Sequence, residues 1–465
     1  MLAPQMKSDS LKESFEMRRS ATIRAGLLAL VFALLAAPAA MAQVAGLYYQ
    51  EVEKDGRIYV FNTPERYKLW SEGGDMGTAI TLVGRAVDGK TLVAENETAA
   101  DLYFFKHNLP GYERPTPSTA LPFNVTWKDG KTTITSKQAE LVLSNRLQVR
   151  ATDENREVEP AGDPDRSSFS IRRMRTKLDG WVYTRDLTYE LQVDLAQTSN
   201  LLQDANINYD FTKGKKAFML KAGQYKVPFG RQQLTSSGSQ QFVDRSLVSD
   251  TFARGRDIGL QLWGTPNNSK IDWRVGVFNG NGRTTSRNDN DDLQMNARVT
   301  WQPFGDVKYS EGDFDSTDKP LFAIAAQYES NELPIAAAGS TPAHADDRAI
   351  VGGDAVFKFK GFSVFGELFQ REHDRSNNLS DFDDEGFNVQ AGYFIIPQKL
   401  EAAIRIGELD PNSDIDDNER EERGLALGYF FNKHNHKLQG DYREIEDKAR
   451  QATDKEIRLQ YQVIF

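Results

Sequence analysis

The chain of 465 residues contains no cysteine. That excludes disulfide frameworks, thiol nucleophiles and cysteine-based zinc sites together, and it suits a chain that must cross an oxidising compartment without mispairing. An excess of positive charge is also missing: the formal balance is −10, which argues against a generally basic nucleic-acid binder. Long apolar runs are confined to residues 25–40, and mean hydropathy is negative, so membrane-spanning helices are excluded from the rest of the chain. A transmembrane barrel is not excluded, because only alternate residues of its strands face lipid.

The single apolar run, "AGLLALVFALLAAPAA", follows Arg18, Arg19 and Arg24 and leads into Ala40-Met41-Ala42. A basic region, an apolar core and an A-x-A site predict a secretory signal over 1–42 and a mature start at Gln43. An uncleaved anchor is the alternative, disfavoured by the shortness of the core. Met17 is an alternative start, since residues 1–16 add nothing a signal needs.

From about Ala139 onward apolar and polar residues alternate with a period of two, the signature of strands with one greasy and one wet face. The final stretch shows it: Ile457, Leu459, Tyr461, Val463 and Phe465 fall on one parity, and Arg458, Gln460 and Gln462 on the other, with Ile464 breaking the pattern. The first strand sets Leu141, Leu143, Leu147 and Val149 against Ser144, Arg146, Gln148 and Arg150. Sixteen such segments of about 9–13 residues are counted, the length that crosses a bilayer at a tilt. In the second half, tight turns ("KFKGF", "IIPQK", "FNKHNH") alternate with long polar loops (370–384, 409–419, 444–454), as expected where short turns face the periplasm and long loops face outward. One connection departs from this: 303–320 is long where parity requires a short turn. Trp181, Tyr183, Trp263, Trp301, Tyr393, Phe394, Tyr429 and Phe430 near strand ends are expected to form interface girdles; aromatic core of a soluble β-protein is the alternative.

The fold expected is therefore all-β: a sixteen-stranded antiparallel transmembrane barrel over 119–465, preceded by a small N-terminal periplasmic α+β or partly ordered segment over 43–118. In that segment "NTPERYKLWSEGG" and "ETAADLYFFKHN" read as short helices, and "AITLVGRA" and "KTLVAE" as strands around an Asp-Gly turn. "LPGYERPTPSTALP" reads as a proline-rich linker.

Seven segments in order, "AELVLSNRLQVR", "FSIRRMRTKLDG", "YELQVDL", "ANINYDF", "LKAGQYKVPFGRQQLTSS", "RGRDIGLQL" and "WRVGVFNGNG", resemble the phosphate-selective porins O and P. The resemblance implies a trimeric outer-membrane porin whose third extracellular loop folds inward and narrows the channel. It also implies that Phe465 is the signal read by the outer-membrane barrel assembly machinery. Outer-membrane lipid and lipopolysaccharide would be the surroundings, a small anion the solute, and no cofactor or nucleic acid a partner.

Arginine suits phosphate because its planar fork offers two parallel charge-assisted bonds. Arg146 and Arg150 share the polar parity of the first strand and are expected in the lumen. In "SIRRMRTK", Arg173, Arg175 and Lys177 share a face that can hardly be lipid; Arg172 must then point away unless a bulge intervenes. By matching motif, the resemblance puts Arg146, Arg172 and Arg173 on the anion path. Lys226 and Arg231 stand at the entrance to the candidate inward loop 225–255, and Arg245, Arg254 and Arg256 near its exit. Residues 168–256 carry 14 Lys+Arg against 8 Asp+Glu, whereas acid collects in "NDNDD", "DFDDE" and "DPNSDIDDNEREE", assigned to outer loops. Screening acts over about 8 Å at physiological salt, so those loops need not cancel a basic constriction deeper in the pore. The alternative is an unselective pore wall, in which the arginines merely balance acids such as Glu190 and Asp194.

Three function classes are weighed. A passive channel for small anions, phosphate or polyphosphate, needs no catalytic group. A barrel enzyme would need a Ser-His-Asp or Asp-His grouping, and His107, His344, His373, His434 and His436 read as loop, turn or N-terminal residues without such partners. A plugged structural or adhesive barrel is the third. The loop 410–421 partly mimics a calcium loop through Asp410, Asn412, Asp414 and Glu421, but Ile415 stands where glycine is needed, and a solvated acidic loop is the preferred reading.

Overall fold

A computed structural model describes residues 48–111, 123–157, 166–283, 287–339 and 341–465. The signal and most of the linker lie outside the described residues. The chain divides into two compact units, residues 1–118 and 119–465.

The first unit holds a four-stranded sheet in the order β1-β2-β4-β3, with β1 Gln50–Lys54, β2 Arg57–Phe61, β3 Ile80–Leu82 and β4 Thr91–Ala94. Two helices accompany it, α1 Pro64–Ser71, started by proline, and α2 Glu97–Lys106, capped by Asn96. Ile58, Val60, Leu92, Ala100, Tyr103 and Phe104 form its core. Beside the sheet, Glu51 accepts from the Tyr49 hydroxyl and lies 2.9 Å from His107 Nε2 and 3.1 Å from Lys106 Nζ. Burial acts to raise the Glu51 carboxyl, but those three partners outweigh it and hold it at about 2.

The second unit opens with a hairpin, β5 Phe123–Lys128 and β6 Lys131–Ser136, turned by Asp129-Gly130 with both residues at positive φ. Sixteen antiparallel strands follow. The first eight are β7 Ala139–Asn155, β8 Arg166–Val182, β9 Thr184–Asp194, β10 Leu202–Asp210, β11 Met219–Lys226, β12 Arg256–Gly264, β13 Ile271–Phe278 and β14 Gln294–Trp301. The rest are β15 Leu321–Ile335, β16 His344–Phe359, β17 Phe362–Arg375, β18 Phe382–Ile396, β19 Leu400–Asp410, β20 Arg420–Asn432, β21 His436–Asp447 and β22 Ala452–Ile464. Each pairs with its neighbour, and β22 pairs with residues 146–155 of β7 to close the ring. Strands run from 8 to 17 residues, a wider spread than the sequence suggests.

The alternation sorts side chains as expected, with polarity reversed from a soluble core. Gln148, Asn388 and Gln462 face inward and are completely buried, whereas Val299, Ile404 and Leu425 face outward and are more than half exposed. The same rule corrects the girdle. Trp181, Trp263, Phe394 and Phe430 have the inward parity and lie in the lumen, leaving Tyr183, Trp301, Tyr393 and Tyr429 on the outside. Strand-end position alone does not decide lipid contact; parity does.

Candidate functional site: the lumen

Two connections enter the ring. Residues 227–255, here L3, link β11 to β12, carry the short helices α3 Arg231–Leu234 and α4 Leu247–Phe252, and cross the lumen. At its ends L3 is held by an apolar cluster of Val227, Phe229, Val248 and Phe252 with Phe278 and Phe369. Each fully buried phenylalanine contributes about 1.5–3 kcal/mol. At its tip Gln241 reaches Glu401 (2.6 Å) and Ser363 (3.1 Å), and Phe242 lies under the Arg405 guanidinium at 4.0 Å. The wall makes room for it: a Cβ on Gly392 would stand 1.9 Å from Gln241 Nε2, and one on Gly424 2.8 Å from Phe242.

The second entrant is 302–320, here T4, the connection whose length was anomalous. It folds up inside the ring, with Val307, Glu311 and Asp313 buried. Lys358 Nζ donates to the Ser310 and Gly312 carbonyls at 2.7 and 3.0 Å, and Asp313 accepts from the Gly361 amide at 2.8 Å. Phe314 packs on Phe394, Phe430 and His434. His434 is thus part of this packing and not an ordinary turn polar, with Lys437 Nζ 3.4 Å from its Nδ1.

The nine candidate residues separate into groups. Arg150 Nη1 meets Asp244 of L3 at 2.6 Å, and Arg172 and Arg173 each stand 3.6 Å from the same carboxylate. Arg172 reaches it because the β7–β8 register skips that residue, Gln148 facing Arg173 and Val149 facing Ile171: the bulge is present, and neighbouring arginines both point inward. Arg458 joins them at 3.7 Å. Neither Asp244 nor Arg458 stood out in sequence, although Arg458 lies on the wet parity of the last strand. Arg231 and Arg254 are elsewhere. Arg231 donates to the Val307 and Lys308 carbonyls and lies over the Tyr309 ring, clasping L3 to T4; Arg254 sits against the Asn331 amide at 2.8 Å.

Arg146, Arg175, Lys226 and Arg256 line one cavity of about 440 Å³ bounded by the β7–β13 wall and L3. Its lining also holds Lys131, Lys177, Lys221 and Arg274, against two carboxylates, Glu190 and Asp204. Arg256 grips Asp204 through two bonds of 3.0 and 2.9 Å, Arg175 pairs with Asp194 at 2.8 Å, and Lys177 with Glu190 at 3.3 Å. Three cations meet only neutral partners. Arg146 donates to the Ser236 and Ser237 hydroxyls at 3.1 and 3.0 Å, Lys226 to the Leu234 and Thr235 carbonyls at 3.0 Å each, and Lys221 lies over the Tyr225 ring at 4.5 Å. Arg146 Nε is buried with no hydrogen-bond partner among the described residues.

The family model for phosphate-selective porin O and P matches residues 145–464. The chain belongs to that family. Among solved structures, this porin shares its fold with an outer-membrane channel. The outer membrane channel DcaP of Acinetobacter baumannii is 14% identical, with 71% of this chain and 99% of that chain covered at a TM-score of 0.50. OprB of Pseudomonas putida is 12% identical over 71% and 94% of the two chains, with a TM-score of 0.47. OmpT of Vibrio cholerae is 9% identical over 71% and 99%, also at 0.47. No curated protein matches this porin in sequence. It is an outer-membrane channel of the Gram-negative type, not an enzyme.

The histidine reading of the sequence needs a second correction beside that of His434. His373 is neither in a loop nor without partners: it lies buried on β17, 3.1 Å from Asp346 and 3.5 Å from Asp384. In the loop 410–421, Glu421 is held by Arg423 at 2.8 Å and Lys448 at 3.3 Å, while Asp410 and Asn412 accept backbone N–H groups. Those oxygens are engaged within the chain, which does not suit a calcium loop.

Proposed function

We propose that this porin conducts small anions passively along the β7–β13 wall, with phosphate or polyphosphate as its solute class. The observation that carries this reading is the set of cavity cations without a carboxylate partner: Arg146, Lys221 and Lys226. Serine hydroxyls and backbone carbonyls position these groups without neutralising them. Arg175 and Arg256 add positive field while their own acids fix their orientation. Arg150, Arg172 and Arg173 take a different role on this reading: they tether L3 through Asp244 and edge the path. A homotrimer in outer-membrane lipid and lipopolysaccharide, recognition of Phe465 by the barrel assembly machinery, and a periplasmic place for residues 43–118 complete the proposal.

Ion selectivity in a planar bilayer tests it. Reversal potentials in a salt gradient should show anion preference, and phosphate should block chloride current. A charge-assisted hydrogen bond contributes about 1.5–3 kcal/mol, so Arg146→Ala should weaken the block roughly 10- to 100-fold. The convergence of Arg150, Arg172, Arg173 and Arg458 on Asp244 favours a second reading, a general porin whose arginines are structural. Cation preference, or block untouched by Arg146→Ala, would establish that reading instead.

A further inference from the structure

T4 divides the lumen. On the β7–β13 side the basic cavity stays open; on the other side T4 stands between L3 and the wall of β16–β21. Beside the Arg231 clasp, one carboxylate joins T4 to L3. Glu311 Oε2 accepts from the Gln241 backbone amide at 2.7 Å and from Gln390 Nε2 at 2.8 Å, and its Oε1 accepts from Gln232 Nε2 at 3.0 Å. The Glu311 amide donates to the Ser239 carbonyl at 3.0 Å. One buried side chain therefore holds both limbs of L3, at Gln232 and Gln241, and ties them to β18. Gly312 beside it is pressed against the wall, since a Cβ there would stand 2.1 Å from Glu401 Oε1.

The wall behind this packing differs in charge from the open side. Among the buried residues of β16–β21, carboxylates outnumber Lys and Arg seven to three, whereas the lining of the open cavity has eight cations to two carboxylates. We infer that T4 sets the selectivity of the channel: it seals the carboxylate-rich half of the lumen so that current passes only along the basic half, and Glu311 is the positioning residue that holds L3 in that arrangement. The direction of the selectivity change rests on the anion reading above; the change in conductance does not.

Three variants test this: replacement of 304–318 by an Asn-Gly turn, Glu311→Ala, and Glu311→Gln, which keeps the side chain's size and one accepting oxygen. Insertion is scored by heat-modifiable migration, and each barrel is then measured for single-channel conductance and reversal potential. Opening the second half about doubles the conducting cross-section, so the turn replacement should raise conductance about twofold and move the reversal potential toward zero. Glu311→Ala should do the same to a lesser degree, and Glu311→Gln should stay near wild type. Wild-type conductance in an inserted turn replacement would overturn the inference, and so would raised conductance at an unchanged reversal potential. If the turn replacement does not insert, the contrast between Glu311→Ala and Glu311→Gln decides: equal conductances refute the positioning role. Wild-type barrels without anion preference would instead sink the anion reading and leave the conductance comparison intact.

Discussion

Arg405 and Lys221 both project from barrel strands into the lumen, yet their surroundings are opposite. Arg405 is almost fully buried, bonded to Gln390 and Glu422 and stacked on Phe242 of L3. Lys221 borders open space, with an aromatic ring as its nearest partner. The filled half pairs arginines such as Arg298 and Arg405 with carboxylates and packs Lys358 and Lys437 against protein oxygens; the open half leaves several cations bordering a space that a solute can enter. In low-dielectric packing an unpaired charge costs several kcal/mol, so groups such as Arg298–Asp354 and Arg405–Glu422 come as pairs. Beside a water-filled path that cost falls, and a cation can be left with neutral oxygens for company.

The comparison breaks most visibly if Arg405 is removed. Arg405→Ala leaves Glu422 buried without its cation and should destabilise the barrel by about 3–5 kcal/mol, measured as a lower denaturant midpoint for loss of heat-modifiable migration. Lys221→Ala sharpens the contrast from the other side: stability should change by no more than about 0.5 kcal/mol, while phosphate block in the bilayer weakens. Equal destabilisation by the two substitutions would show that the halves do not differ. The smallest effect belongs to the N-terminal unit. Its Glu51 carboxyl is held at about 2, below the ordinary 4.5, so its contribution to stability is fully present above pH 4.5 and lost as pH falls toward 2. Solvent screening limits that contribution to about 1 kcal/mol, visible as an acid-side loss of near-ultraviolet dichroism that Glu51→Gln should remove.

Strand number and face assignment are legible in the sequence because parity is a local property, whereas the inward course of 225–255 is implied by the family resemblance alone. The pair Arg172-Arg173 shows the edge of that legibility: adjacent arginines demand a bulge, and the bulge is there. The hairpin around Asp129-Gly130 carries a turn signal that the reading from Ala139 onward passed over. The unusual length of T4 is equally plain, but its destination is not, since Glu311 finds its partners 70 and 79 residues away. The cavity is the least legible part. Whether an arginine keeps its charge for a solute depends on which carboxylate the folded ring brings to it, and Asp244, one of two acids in L3, gathers arginines from β7, β8 and β22.

Closure of the ring has a bearing on pore calibre. At the joint between β22 and β7, Gln148 Nε2 reaches Gln462 at 2.6 Å and Arg150 reaches Gln460 at 2.9 Å. The same side chains hold the tip of L3: Gln148 binds the Ser237 carbonyl, Gln462 that of Gly238 and Arg150 that of Val243. Seam and aperture are thus one joint, like a clasp whose pin also serves as the gauge. A ring left open at this seam has no defined aperture, and an L3 torn from its place strips the seam of half its amide partners.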